Sequence, residues 1–95
     1  MKDRKTYIEK ASAKLKEWDA EIQKLEAKTD MAKADAKDSY RKQISELRDM
    51  KKSVQKKLED LQNSSNEAWE ELKNGFEKSW QSLTEAFSNA SEKMK

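Results

Sequence analysis

Asn66 to Phe76 reads NEAWEELKNGF, and Glu77 to Phe87 reads EKSWQSLTEAF. The second stretch restates the first after eleven residues: Trp69 returns as Trp80, Leu72 as Leu83 and Phe76 as Phe87. The leucine position extends both ways, through Met50, Leu61, Leu72, Leu83 and Met94. Eleven residues make three helical turns at roughly 3.67 residues each, close to the natural pitch of an α-helix. The apolar stripe therefore stays on one side of a nearly straight helix. Projected at about 100° per residue, Trp69, Leu72, Phe76, Trp80, Leu83 and Phe87 fall within an arc of roughly 80°. A long amphipathic helix is expected here, over about 65–92, and its stripe must lie on something.

Upstream, from about residue 3 to 62, no proline or glycine interrupts a helix. The apolar positions Ile8, Ala11, Leu15, Trp18, Ile22 and Leu25 alternate steps of three and four. The stripe then passes Thr29, Ala32, Ala36 and Tyr40 and resumes as Ile44, Leu47, Val54, Leu58 and Leu61. The run of four-residue steps from Ala32 to Ile44 is a stutter, which relaxes a supercoil toward straight packing. Asp30 is a candidate helix cap, which would allow a break at Thr29-Asp30, but its neighbours MAKADAK are strong helix formers, which favours one continuous helix.

The clear interruption is Asn63-Ser64-Ser65-Asn66, since small polar residues favour caps and turns. Ser64 and Glu67 have the spacing of a capping box. The eleven-residue phase runs unbroken across this turn, as a single continuous helix would also require, but the capping signal favours a hairpin. The expected fold is thus all-α in one domain, residues 1–95: a long helix 1 over about 3–62, a turn at 63–66, and helix 2 over about 65–92. Folding back at that turn sets Leu58 near Trp69, Leu47 near Trp80 and Tyr40 near Phe87.

Composition agrees. The chain is 34% apolar and 42% charged, with no proline and one glycine, Gly75, the profile of a long helix or coiled coil rather than of a large globular core. The net charge of +2 lacks the basic bias of a nucleic-acid binder. Cysteine is absent, which excludes disulfides. The start, MKDRKTYIEK, has no apolar run of a signal peptide, and no stretch approaches the roughly 20 apolar residues of a membrane span. A cytoplasmic location is the expectation.

No catalytic set is visible. Histidine and cysteine are both missing, so the usual metal, nucleophile and proton-relay groups have no members, and no glycine-rich phosphate loop exists. Glu59-Asp60 and Glu70-Glu71 read as solvated helix surface beside lysines. Lys51, Lys52, Lys56 and Lys57 are suited to phosphates, yet Asp49, Glu59 and Asp60 flank them as on any solvated face. The expectation is no enzyme, no cofactor, no metal, no small-molecule substrate and no nucleic-acid partner.

The aromatic stripe of helix 2 has two readings. It can bury between helices, or lie in a bilayer interface, where tryptophan is favoured. The polar face sets Glu67, Glu70, Glu71, Glu77, Glu85 and Glu92 against Lys73, Lys78, Lys93 and Lys95, a net acidic balance that anionic lipid repels. Helix packing is favoured, with weak membrane-surface contact as the alternative.

The eleven-residue repeat resembles those of exchangeable apolipoproteins, synucleins and late-embryogenesis-abundant proteins. The whole chain resembles small bacterial coiled-coil proteins labelled as stress-response proteins, through LKEWDAEIQKL (residues 15–25), AKADAKDSYRKQISEL (32–47) and AWEELKNGFEKSWQSLTEAF (68–87). An alanine-rich loop is usual there before the last helix; here it is NSSN. The resemblance implies a soluble, helical, non-catalytic protein and carries no functional residues across.

The functional expectation is a structural, scaffold or stress-related protein acting through helix association. A reversible lipid or surface binder that exposes the stripe is the alternative. In the expected hairpin, helix 2 covers only half of helix 1, and Ile8, Leu15, Trp18, Ile22 and Leu25 stay bare. An antiparallel homodimer crossing at Ala32 and Ala36, or a higher oligomer built from it, covers them and brings the two Met94 ends together at its centre. The expected oligomer interface is therefore Ile8, Leu15, Trp18, Ile22, Leu25, Ala32 and Ala36. The expected hairpin core is Tyr40, Ile44, Leu47, Val54, Leu58, Leu61, Trp69, Leu72, Phe76, Trp80, Leu83 and Phe87.

Overall fold

Three stripes of apolar residues define the architecture, one per helix. A computed structural model describes residues 2–93, and Met94 lies outside the described residues. The order is α1 (Lys2–Asp30), α2 (Ala34–Gln62) and α3 (Trp69–Lys93). The chain is all-α, as its periodicity predicts. The single helix expected over 3–62 is corrected to two, parted at Met31-Ala32-Lys33.

The parting is driven by packing rather than by local propensity. Methionine, alanine and lysine all favour helix. Thr29, buried on the stripe, turns its hydroxyl back to donate to the Leu25 carbonyl at 2.9 Å. The Met31 and Ala32 N–H groups bond three residues back, to Lys28 and Thr29, which tightens the last turn. Lys33 then leaves the helix with φ −67° and ψ 153° and offers no side-chain cap to α2. Asp30 closes α1 instead of capping α2. The compensation is burial: folding back covers Ile8, Ala11, Leu15, Trp18, Ile22 and Leu25 within the same chain. Each large apolar side chain so covered is worth about 1.5–3 kcal/mol, several times any single helix propensity.

Ion pairs fix the directions. Asp19 meets Lys51 and Glu26 meets Arg48, so α2 runs antiparallel to α1. The Lys57 ammonium reaches the Ser79 hydroxyl, and the Tyr40 hydroxyl donates to the Lys93 carbonyl at 3.3 Å, so α3 runs antiparallel to α2. The rod measures 51 × 18 × 17 Å. These contacts also correct the register expected for α3. Tyr40 meets Lys93, one to two turns beyond Phe87, because the connection runs from Asn63 through Ala68 and α3 begins at Trp69 instead of residue 65. The capping box does not form. The Ser64 hydroxyl donates to the Leu61 carbonyl at 2.7 Å, and the neighbouring Ser65 hydroxyl accepts from the Ala68 N–H at 3.2 Å.

The core runs the length of the rod. Ile44, Leu47, Val54, Leu58 and Leu61 of α2 and Phe76, Leu83, Phe87 and Ala90 of α3 are buried with the α1 stripe. Leu72 departs from its repeat partner: it is 38% exposed, whereas Leu83 is 0% exposed. Their helix angles differ by only about 20°, so the face of the helix alone does not explain the difference.

Candidate functional site

Rings from α1 and α3 meet in one seam. Trp18 stands between the two rings of the second repeat unit. It stacks on Phe87 with a 17° interplanar angle and 5.3 Å between centroids, and tilts at 39° against Trp80, 4.5 Å away. Tyr7 stands between the two rings of the first unit, edge-on to Trp69 at 5.8 Å and to Phe76 at 6.0 Å. Phe76 and Trp80, 5.4 Å apart, join the two layers. Tyr7 and Trp18 are themselves eleven residues apart, as are Trp69 and Trp80. Two parallel helices with one shared period keep their rings level from one layer to the next. The eleven-residue repeat is thus the repeat of the seam, written on both helices.

Polar groups frame the rings. The Tyr7 hydroxyl donates to Glu77 Oε1 at 3.0 Å, and the Lys73 ammonium sits 5.2 Å from the Tyr7 ring centre. Burial first, then the hydrogen bond and negative charge of Glu77, push the Tyr7 phenol well above its ordinary 10.0. A cleft of about 240 Å³ opens beside this layer, lined by Tyr7, Lys10, Ala11, Phe76, Glu77 and Trp80.

Arg4 closes the end of the seam. Its guanidinium lies over the Trp69 ring, 4.6 Å from ring centre to Cζ. It donates to the Leu61 carbonyl at 3.2 Å, to the Gln62 carbonyl at 3.4 Å, to the Ser64 carbonyl and hydroxyl, and to Asn66 Oδ1 at 3.2 Å. The last carbonyls of any helix lack partners and carry partial negative charge. The last turn of α2 has no basic residue of its own and holds Glu59 and Asp60. Arg4 supplies the missing cation and the missing donors from the other end of the sequence.

Compared with protein-family models, with curated proteins and with solved structures, the chain matches none.

The structure gathers the expected residues differently from their grouping by sequence. Ile8, Leu15, Trp18, Ile22 and Leu25, assigned to an oligomer interface, are buried inside one chain. Ala32 and Ala36 are half-buried at the α1–α2 connection. Of the residues assigned to the hairpin core, Tyr40, Trp69 and Trp80 are half-buried at its edge and Leu72 is exposed. The lysine cluster is divided: Lys51 turns to Asp19 of α1, Lys57 to Ser79 of α3, while Lys52 and Lys56 stay exposed. Among the described residues, no group of three or more His, Cys, Asp or Glu side chains could hold a metal ion, and no helix is long and apolar enough to cross a membrane. Sequence reading missed Arg4 and the pairing of Tyr7 with the first repeat unit. The eleven-residue interval from Tyr7 to Trp18 was the available signal for the second; nothing local announces the first.

Proposed function

We propose that the chain is a non-enzymatic structural or scaffold protein, of the stress-related kind its sequence resembles, that works in the cytoplasm by associating amphipathic helices, copies of itself included. The observation that supports this most is the aromatic seam. The rings of Tyr7, Trp18, Trp69, Phe76, Trp80 and Phe87 all lie between α1 and α3. A helix carrying two rings eleven residues apart is the ligand that the α2–α3 pair is shaped to take. In the closed chain α1 fills that role.

A second reading is a reversible lipid binder. Leu72 is exposed, and Trp69 and Trp80 are half-buried, so one edge of the stripe reaches the surface. The net acidic polar face of α3 argues against anionic membranes.

Co-sedimentation with neutral and with anionic vesicles separates the two. Helix association as the working mode predicts protein in the supernatant with both, and unchanged tryptophan emission. Pelleting with neutral vesicles and a blue shift would overturn it in favour of lipid. Anionic binding that vanishes in salt would place the contact on the exposed lysines instead.

A further inference from the structure

The α1–α2 connection is built like a helix that has been interrupted. Met31, Ala32 and Lys33 contain neither glycine nor proline, and the stripe from Leu25 through Thr29, Ala32 and Ala36 to Tyr40 continues across them in phase. At Lys33 the φ of −67° is already helical; the ψ of 153° takes the chain out of the helix. The turn is poorly finished. Met31 is 87% exposed, the α2 N-cap has no side-chain hydrogen bond, and on the α1 side Met31 and Ala32 bond three residues back. Returning Lys33 to helical ψ joins α1 to α2 and restores four-residue backbone bonds. It also uncovers the α1 stripe and the face of α2–α3 that α1 occupied.

We propose that this connection is an exchange hinge, and that a second copy of the chain is the partner of the opened form. In it residues 2–62 run as one helix, about 90 Å long at 1.5 Å per residue. Two such helices lie antiparallel. Each α1 occupies the α2–α3 pair of the other copy in the same orientation as in the closed chain. Every contact described above between α1 and the α2–α3 pair is then remade between chains: Trp18 between Trp80 and Phe87, Asp19 on Lys51, Glu26 on Arg48, Arg4 on the α2–α3 turn. Nothing in the core distinguishes the two states. Exchange loses one chain's independent motion and gains the helical hydrogen bonds at 31–33, so protein concentration sets the balance. Ala32, Ala34 and Ala36 fall where the two long helices cross, and their small side chains permit close approach. This inference rests on the reading of the chain as an association module, and supplies its self-partner.

The test uses the full chain and its native Asp19–Lys51 pair. Equal amounts of ¹⁵N-labelled and unlabelled protein are refolded together, from low micromolar to millimolar concentration. Their mass is measured by light scattering, and Asp19 is joined to Lys51 by a zero-length carbodiimide. Dimers that grow with concentration and yield linked peptides of mixed isotope are expected. Lys33→Pro accepts the closed φ but denies the helix an N–H and a neighbouring helical residue. It is expected to stay monomeric over the same range with links inside one chain. Monomeric wild type throughout overturns the exchange. So do dimers whose links remain within one chain, although these leave the association reading standing. Dimerisation of Lys33→Pro equal to wild type also overturns it. Should Lys33→Pro fail to fold, the isotope pattern of the wild type decides alone.

Discussion

A single guanidinium does at the end of α2 what a glycine or a lysine would do in most helices. Arg4 gives the open carbonyls of Leu61 and Gln62 their donors and covers the Trp69 ring. Hydrogen bonds from a charged group are worth about 1.5–3 kcal/mol when well enclosed, and Arg4 is half-exposed. Arg4→Met is therefore expected to lower stability by about 1–2 kcal/mol in urea unfolding. Arg4→Lys should recover only part, since an ammonium keeps the charge but loses the planar fork. Equal stabilities for the three proteins would show that these contacts contribute nothing. Tyr7 gives a pH-dependent counterpart. Its folded-state pKa lies above the unfolded value of 10.0. The stability it contributes is complete below about pH 10 and is lost as pH climbs through the alkaline range. Ultraviolet titration should find one phenol that resists ionisation until the bundle opens. Tyr7→Phe should remove that component of the alkaline decline.

Helical character was legible in the sequence because periods of three, four and eleven residues report one face of a helix, whatever that face meets. The break at Met31 to Lys33 was not, because no residue there opposes a helix; the break exists only because α1 has somewhere better to lie. The same physics hid the register. Ser64 and Ser65 are equally good caps by composition, and it is the Ser65 hydroxyl that accepts from the Ala68 N–H. Of the candidate site, the α3 stripe could be read from its repeat. Its counterpart on α1 needed the fold-back to be known, and Arg4 needed contacts across more than half the chain. Gly75 offers a test at this scale. It lies inside α3 with nothing within 4 Å of where a Cβ would stand. Gly75→Ala should raise stability by about 0.5–1 kcal/mol through helix propensity alone. A thermal melt followed by circular dichroism should move up by several degrees; no change would mean that α3 frays there.

For the molecule as a whole, Trp18 is the residue on which closure turns, since it is 5% exposed and touches both rings of the second α3 repeat unit. Replacing a buried tryptophan by alanine removes about 3–5 kcal/mol, against a total of about 5–15 kcal/mol for a domain. Trp18→Ala should therefore unfold at much lower urea, with a loss of helix content that begins in α1; hydrogen exchange along the three helices locates it, and uniform loss would mean that the bundle melts as one unit. The odd number of helices has one more consequence. With α1 and α3 parallel, Arg4 lies beside the α2–α3 turn while Lys93 lies beside Tyr40, near the opposite end of α2. A bundle with two or four antiparallel helices would return the chain to the end at which it entered. This one carries it across, so that cargo attached ahead of α1 and cargo attached after α3 would be held toward opposite ends of the rod, about 30 Å apart at 1.5 Å for each residue of α2 from Leu61 to Tyr40. The protein is in that respect a strut, and energy transfer between dyes placed beside Arg4 and beside Lys93 would read that separation.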